Sequence, residues 1–159
     1  MGTLGDPETQ RKRAFASAVR SLTRRPRTRV EIEDFLEKRE YSREVIAQTI
    51  ERLLELNYLD DAAVADVVVR EAERRNLGSR RVAQKLSQRG VPSGLHGPAV
   101  ASSADGDLER ARALLEKRYP EGLHEGPRLR ETALRLLVGR GFPYSIARQA
   151  VGLDRQVDA

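Results

Sequence analysis

The strongest constraint on the fold is a pattern that recurs three times along the chain. Segments that begin at Arg39, Arg89 and Arg140 superpose when the sequence is shifted by about fifty residues. The same shift aligns further apolar positions in three copies, namely Leu36, Leu86 and Leu137, then Val45, Leu95 and Ile146. Repetition at such a period is typical of proteins built from stacked supersecondary units. The chain is therefore predicted to contain three tandem copies of one small unit.

Each copy has the pattern of three short helices. Thr28 followed by Glu31 forms a capping box, which predicts a helix start at that point. Gly90 and Gly141 fall where a helix must end in a left-handed residue, and Glu40 occupies the equivalent place in the first copy, so its turn is either strained or differently shaped. Apolar residues at helical spacing precede and follow each of these turns. We expect an all-α fold of three helix-turn-helix-like repeats that form an elongated, curved array.

The repeat boundaries follow from the alignment. The expected segments are a flexible N-terminus over 1–13, repeat 1 over 14–59, repeat 2 over 60–103, repeat 3 over 104–153 and a flexible C-terminus over 154–159.

The last helix of the second repeat breaks the pattern, because it contains Gly94, Gly97 and Pro98. An interior proline costs about 3 kcal/mol and each glycine about 1 kcal/mol relative to alanine. We therefore expect a loose turn over 92–97, a short helix that begins at Pro98, and a linker over 102–106.

The residues required for an active site do not converge in the sequence. Cysteine is absent, which excludes disulfides and thiolate chemistry, and both His96 and His124 lie in predicted loops. Asp60 and Asp61 at a helix start are typical of capping and not of a metal site. We expect a protein that is not an enzyme and has no cofactor. Because no apolar stretch is long enough to span a membrane and no signal peptide is evident, we expect a cytoplasmic protein.

Basic residues supply the candidate site, since the chain has a net charge of +5 and most of that basic charge is arginine. A GC-rich genome is one explanation for the arginines, and a polyanionic or acidic partner is another. The first candidate face comprises Arg70, Arg74, Arg75, Arg80, Arg81, Lys85 and Arg89, and the second comprises Arg24, Arg25, Arg27 and Arg29. Residues 81, 85 and 89 share one helix face, and no acid lies between 80 and 89. This pattern favours an external anion over pairing within the helix.

A series of short motifs resembles the RecX family of recombination regulators. The series comprises Leu59-Asp60-Asp61, Ala65, Arg70, Gly78, Arg81, Leu86, Gly90-Val91 and the later segment from Arg140 to Tyr144. The likeness extends over residues 14–153, although Val64 and Val68 stand where the family has larger aromatic residues. It implies a monomeric regulator that binds the recombinase RecA filament on single-stranded DNA, with possible direct contact to DNA and none to a membrane. It further implies inhibition of ATP hydrolysis and strand exchange, and so modulation of recombination and DNA repair.

Two other functions remain open from the residues alone. Three-helix units with basic helices can enter a major groove, so the chain could be a stand-alone DNA-binding protein built from homeodomain-like units. The segment 92–102, however, has few side chains suited to reading base edges. A helical adaptor that contacts no nucleic acid is the third possibility.

Overall fold

The computed structural model describes residues 5–124 and 126–154. Within these ranges the chain forms nine α-helices and no β-strand. Their bounds are α1 Pro7–Arg24, α2 Arg29–Glu37, α3 Arg43–Glu55, α4 Asp61–Arg74, α5 Ser79–Gln88, α6 Ser93–Ala104, α7 Asp107–Arg118, α8 Pro127–Gly139 and α9 Tyr144–Ala150. The all-α prediction is confirmed, and the helices fall into three triplets along the chain.

The start of α2 is held by the predicted capping box. The backbone N–H of Glu31 donates to the Thr28 hydroxyl at 3.1 Å, and the backbone N–H of Thr28 donates to the Glu31 carboxylate at 3.0 Å. Two N–H groups that have no partner within the helix are satisfied in this way.

The chain divides into two compact units. Among the described residues, the first comprises those up to Ala65 together with Gln88–Pro92, and the second comprises Asp66–Ser87 and those from Ser93 onward. The core of the first unit is built from Ala14, Ala18, Ile32, Leu36, Val45, Ile46, Ile50, Leu53 and Leu59. A core in the second unit is built from Ala111, Leu114, Leu115, Ala133, Leu137, Phe142, Ala147 and Val151.

The aligned leucines occupy equivalent environments. Leu36, Leu86 and Leu137 are all fully buried in the structure. Complete burial of a leucine side chain contributes about 1.5–3 kcal/mol. The repeat in the sequence therefore reflects the spacing of core positions.

The turns after α2, α5 and α8 share one backbone conformation. Glu40, Gly90 and Gly141 have φ of 61°, 70° and 89°, all in the left-handed region. The turn at Glu40 is therefore not differently shaped, and it carries the steric cost that an L-residue has there.

A contact between helix start and turn recurs in both units. In the first unit, the Thr28 hydroxyl before α2 donates to the carbonyl of Arg89 at 2.6 Å. In the second, the N–H of Gly78 before α5 donates to the carbonyl of Arg140 at 3.1 Å. These are equivalent positions of the repeat, so the contact between them is repeated along with the sequence.

The first helix begins earlier than expected, so the prediction of a flexible segment over 1–13 is wrong for residues 7–13. Pro7 lies in the first turn of α1, where its missing N–H is not needed. Lys12 pairs with Glu8 at 2.7 Å one turn away, and Ala14 anchors the helix in the core. Residues 1–4 and 155–159 of the expected ends lie outside the described residues.

Helix α6 runs without interruption through Pro98, so the predicted loose turn over 92–97 is wrong from Ser93 onward and the predicted linker is wrong over 102–104. The carbonyl that Pro98 leaves unpaired belongs to the exposed Gly94, where water can bind it. At the other end of the helix Ser103 is fully buried, and its carbonyl and hydroxyl accept hydrogen bonds from Arg110 at 2.6 and 3.0 Å. This anchor offsets the poor helix propensity, and only residues 105 and 106 connect α6 to α7.

Candidate partner-binding surface

The predicted cations of the second unit lie on α4 and α5 and next to them. Arg70, Arg74, Arg75 and Arg80 are exposed, and Lys85 is half-buried. Their side chains make no hydrogen bond or ion pair with any residue in 5–124 or 126–154. These five positive charges are therefore available to a partner.

The side chain of Arg81 is hydrogen-bonded within the protein. Its guanidinium donates to the carbonyl of Gly139 at 2.7 Å and to the side chain of Gln84 at 2.8 Å. The backbone of Gly141 packs directly against it, because a Cβ on that glycine would lie 2.6 Å from the Cβ of Arg81. Arg81 thus joins α5 to the end of α8.

Arg89 is hydrogen-bonded as well, through contacts within the first unit. It donates to both carboxylate oxygens of Glu31 at 2.9 Å and to the carbonyl of Pro26 at 2.8 Å. The prediction of an uncompensated face along 81, 85 and 89 is therefore wrong at Arg89. Charge reversal at Arg81 or Arg89 would break contacts within the protein, so neither is a clean probe of a partner surface.

The environment of Glu31 perturbs its titration. Burial acts to raise the pKa of the carboxyl group, but hydrogen bonds from Arg89 and from the N–H of Thr28 outweigh it. The net result is a pKa below the ordinary value for glutamate. Glu31 is therefore ionised at neutral pH and serves both the capping box and Arg89.

The second predicted cluster is divided among different contacts. Arg25 lies 3.8 Å from Glu31, and Arg29 pairs with Glu33 at 2.8 Å. The hydrogen bond that Arg29 donates to the Glu33 carboxylate raises the pKa of Arg29 above its ordinary value. Arg24 is exposed and makes no ion pair within the described residues.

Arg27 differs from its neighbours because it is partly buried. Its guanidinium lies 5.6 Å from the ring centroid of Phe35, in a cation–π arrangement. Burial, followed by the positive charge of Arg25, lowers the pKa of the group from its ordinary value. Arginine nevertheless stays protonated in proteins, so this charge is held at an electrostatic cost.

A buried acid that the sequence did not single out holds the second unit together. Asp107 is fully buried, and it accepts from the backbone N–H of Ser79 at 3.0 Å and from the Ser79 hydroxyl at 2.5 Å. Arg110 donates to the same carboxylate at 2.7 Å. The two hydrogen bonds from Ser79 cap the start of α5 and tie it to α7, and Arg110 balances the buried charge, so Asp107 has a structural role.

Sequence reasoning named Arg24 but missed three polar residues of α1 that lie near it, Ser17, Arg20 and Ser21. Ser17, Arg20, Ser21 and Arg24 recur at three- and four-residue steps and share one face of the helix. Together with Arg27, Phe35 and Arg39 they line a cavity in the first unit. The signal that could have revealed them was the three- and four-residue spacing of serine and arginine in the second half of α1.

Metal-binding groups and membrane-spanning helices would point to other functional classes. The described part of the chain contains no group of three or more His, Asp or Glu side chains placed to hold a metal ion. None of the helices described is long and apolar enough to cross a membrane. Three helix triplets, with a left-handed turn after the second helix of each and with exposed cations, define an all-helical tandem-repeat protein.

Comparisons with known proteins identify the family. The family model described as "RecX, first three-helix domain" matches residues 14–53. The regulatory protein RecX of Halorhodospira halophila is 35% identical over 145 residues, which cover 89% of this chain and 88% of that protein. The RecX of Mycolicibacterium smegmatis is 34% identical over 157 residues, covering 94% and 83%. The chain belongs to the RecX family of regulatory proteins.

Solved structures agree with the fold. The crystal structure of RecX from Lactobacillus salivarius superposes with a TM-score of 0.79 at 22% identity, covering 91% of this chain and 96% of that one. A second crystal structure of a regulatory protein RecX gives 0.76 at 21% identity, covering 91% and 72%. The three-helix repeat architecture is therefore that of the family.

Proposed function

We propose that this protein binds the filament of the recombinase RecA on single-stranded DNA and inhibits its ATP hydrolysis and strand exchange. It acts as a non-enzymatic cytoplasmic monomer without a cofactor, and it thereby modulates recombination and DNA repair. The observation that carries the proposal is family membership across nearly the whole chain, because the relatives are regulatory proteins.

The cations of α4 and α5 support a specific contact surface. Arg70, Arg74 and Arg80 are exposed and have no partner among the described residues. Guanidinium groups bind carboxylates and phosphates through paired hydrogen bonds, so such a surface suits either acidic protein or DNA backbone. We place the partner contact here and not at Arg81 or Arg89.

The test is an ATPase assay of RecA on single-stranded DNA. We expect inhibition by this protein at ratios near one to one, and a marked loss of inhibition when Arg70, Arg74 and Arg80 are all replaced by Glu. The matched control replaces Arg13, Arg118 and Arg128 by Glu, because these are also exposed and unpaired within the described residues. If the unmodified protein does not inhibit RecA, the proposed function is wrong. If the Arg70, Arg74 and Arg80 variant inhibits as strongly as the control variant, only the proposed contact surface is wrong.

The alternative of a stand-alone DNA-binding protein gains no support from α6. In the homeodomain-like interpretation this is the third helix of repeat 2, yet its residues Ser93–Ala104 include no Arg, Lys, Asn or Gln. Those are the side chains that read base edges in the major groove. Tight, sequence-dependent binding to naked duplex DNA with a steep salt dependence would nevertheless favour that alternative over ours.

A further inference from the structure

A small cavity in the first unit is lined almost entirely by cationic and hydroxyl side chains. Its volume is about 130 Å³, and it lies against α1, the turn at Arg27 and the last turn of α2. The cations are Arg20, Arg24, Arg27 and Arg39. No acidic residue lines it.

The carboxylate that acts on Arg27, that of Glu31, already has other partners. Glu31 accepts from Arg89 and from the N–H of Thr28, and it also lies near Arg25. It therefore cannot neutralise four further guanidinium groups around the cavity. Arg27 is partly buried and feels the positive charge of Arg39, and a bound anion would reduce the repulsion between these like charges.

Two polar groups at the cavity lack the partners that buried groups normally have. Ser21 is only 5% exposed, and its hydroxyl makes no hydrogen bond within the described residues. The Nε of Arg27 is buried and equally unpaired there. Buried donors of this kind are rare in folded proteins, and an ion or ligand is one of their accepted explanations.

We propose that this cavity is a binding site for a phosphate group. The guanidinium groups of Arg20, Arg24 and Arg27 offer the paired N–H donors that match phosphate oxygens. The Ser21 hydroxyl donates to a further oxygen at the buried end. Phosphate presents enough acceptor oxygens for this number of donors.

The size of the cavity limits what enters it. A water molecule occupies about 30 Å³ of liquid, so a phosphate group fits, whereas sites that enclose a whole small molecule begin at about 300 Å³. Arg20, Arg24 and Arg39 are exposed at the rim. The remainder of a phosphate ester would therefore extend into solvent.

Such a group has two sources, a phosphodiester in a DNA strand and a free phosphate ion. The proposal does not rest on binding to RecA, since it concerns only the residues of this cavity. If the cavity does not bind phosphate, the expected result of the recombinase assay is unchanged. If the protein does not inhibit the recombinase, the expected binding of phosphate is unchanged.

The experiment is a titration of the full-length protein followed by NMR of backbone amides and arginine Nε–H groups. Inorganic phosphate is added in one arm, single-stranded oligothymidylate without a terminal phosphate in another, and chloride at equal ionic strength serves as the reference. We expect phosphate to shift the Nε–H of Arg27 and the amide of Ser21, which chloride leaves unchanged. If the oligonucleotide produces the same shifts at lower concentration, the source is a DNA strand, and if only inorganic phosphate does, it is the free ion.

Variants give the second measurement. Ser21→Ala and Arg24→Gln each remove one donor, and loss of a hydrogen bond to a charged group lowers affinity about tenfold. Both positions lie on α1, where alanine and glutamine are good helix formers. The control is Arg13→Gln, which lies on the same helix but does not line the cavity. The proposal is overturned if neither ligand shifts these groups, or if both Ser21→Ala and Arg24→Gln bind phosphate as tightly as Arg13→Gln and the unmodified protein.

Discussion

Arg89 donates a hydrogen bond to each carboxylate oxygen of Glu31, and both distances are 2.9 Å. The same carboxylate accepts from the N–H of Thr28 and so completes the capping box of α2. One side chain therefore fixes a helix start and binds an arginine that lies far along the chain. Both partners are largely buried, with side-chain exposures of 17% for Glu31 and 19% for Arg89.

The first prediction concerns removal of this charge. Glu31→Gln leaves Arg89 without its counter-ion in a mostly buried position, so we expect a loss of about 3 kcal/mol in the free energy of unfolding. The measurement is urea denaturation followed by circular dichroism. Glu33→Gln is the matched control, because its partner Arg29 is 57% exposed and such pairs contribute less than about 1 kcal/mol. Equal losses in the two variants would show that Glu31 has no special role.

The second prediction follows from the lowered pKa of Glu31. A carboxyl group whose pKa is lower in the folded state stabilises the fold above its unfolded pKa, which is near 4.5. That contribution is lost as the pH falls through the folded pKa. We therefore expect the stability difference between the unmodified protein and Glu31→Gln to be largest near pH 7 and to shrink towards pH 3. A difference that stayed constant over this range would argue against the ion pair as its cause.

The third prediction concerns the buried carboxylate of Asp107. Asp107→Asn keeps the size of the side chain but removes the charge that Arg110 and Ser79 bind. Because Arg110 then loses its buried counter-ion, we expect a loss of about 3–5 kcal/mol. Thermal unfolding measures the effect. Asp105→Asn, at an exposed position two residues earlier, should unfold within a degree or two of the unmodified protein, and a comparable loss there would refute the assignment.

The fourth prediction separates two costs at a glycine. Gly141 and Gly152 both have positive φ, of 89° and 77°. A Cβ at Gly152 would meet no atom within 4 Å, whereas one at Gly141 would lie 2.6 Å from the Cβ of Arg81. We expect Gly152→Ala to cost about 1–2 kcal/mol for backbone strain alone. Gly141→Ala should lower the free energy of unfolding clearly more in the same chemical denaturation. Equal losses would mean that Arg81 can move away from the new Cβ without destabilising the fold.

Much of the fold could be predicted from the sequence, because the signals for it are local. The capping box at Thr28 and the glycines at 90 and 141 act within a few residues, and the fifty-residue repeat displays the core positions directly. The prediction at α6 failed because propensity was weighed without the buried contact between Ser103 and Arg110. That contact is tertiary and has no signature within the helix.

The candidate surface was harder to predict for a related reason. Helix α5 contains no acid, yet Arg89 pairs with Glu31 and Arg81 donates to a backbone carbonyl on α8. Likewise, Ser21 looks like an ordinary helix residue until its burial without a partner is known. Which charges are available to a partner depends on distant residues, and the repeat pattern alone does not contain that information.

The residue in the turn after the second helix of each repeat depends on whether another repeat packs over that turn. At Gly90 a Cβ would lie 2.9 Å from the Cβ of Val30, and Gly141 is crowded in the same way by Arg81, whereas Glu40 is exposed. The crowding comes each time from the preceding repeat, so glycine is required only where another repeat packs over the turn. In longer relatives, we expect a residue other than glycine at this position in the first repeat of an array and glycine in each repeat that follows another.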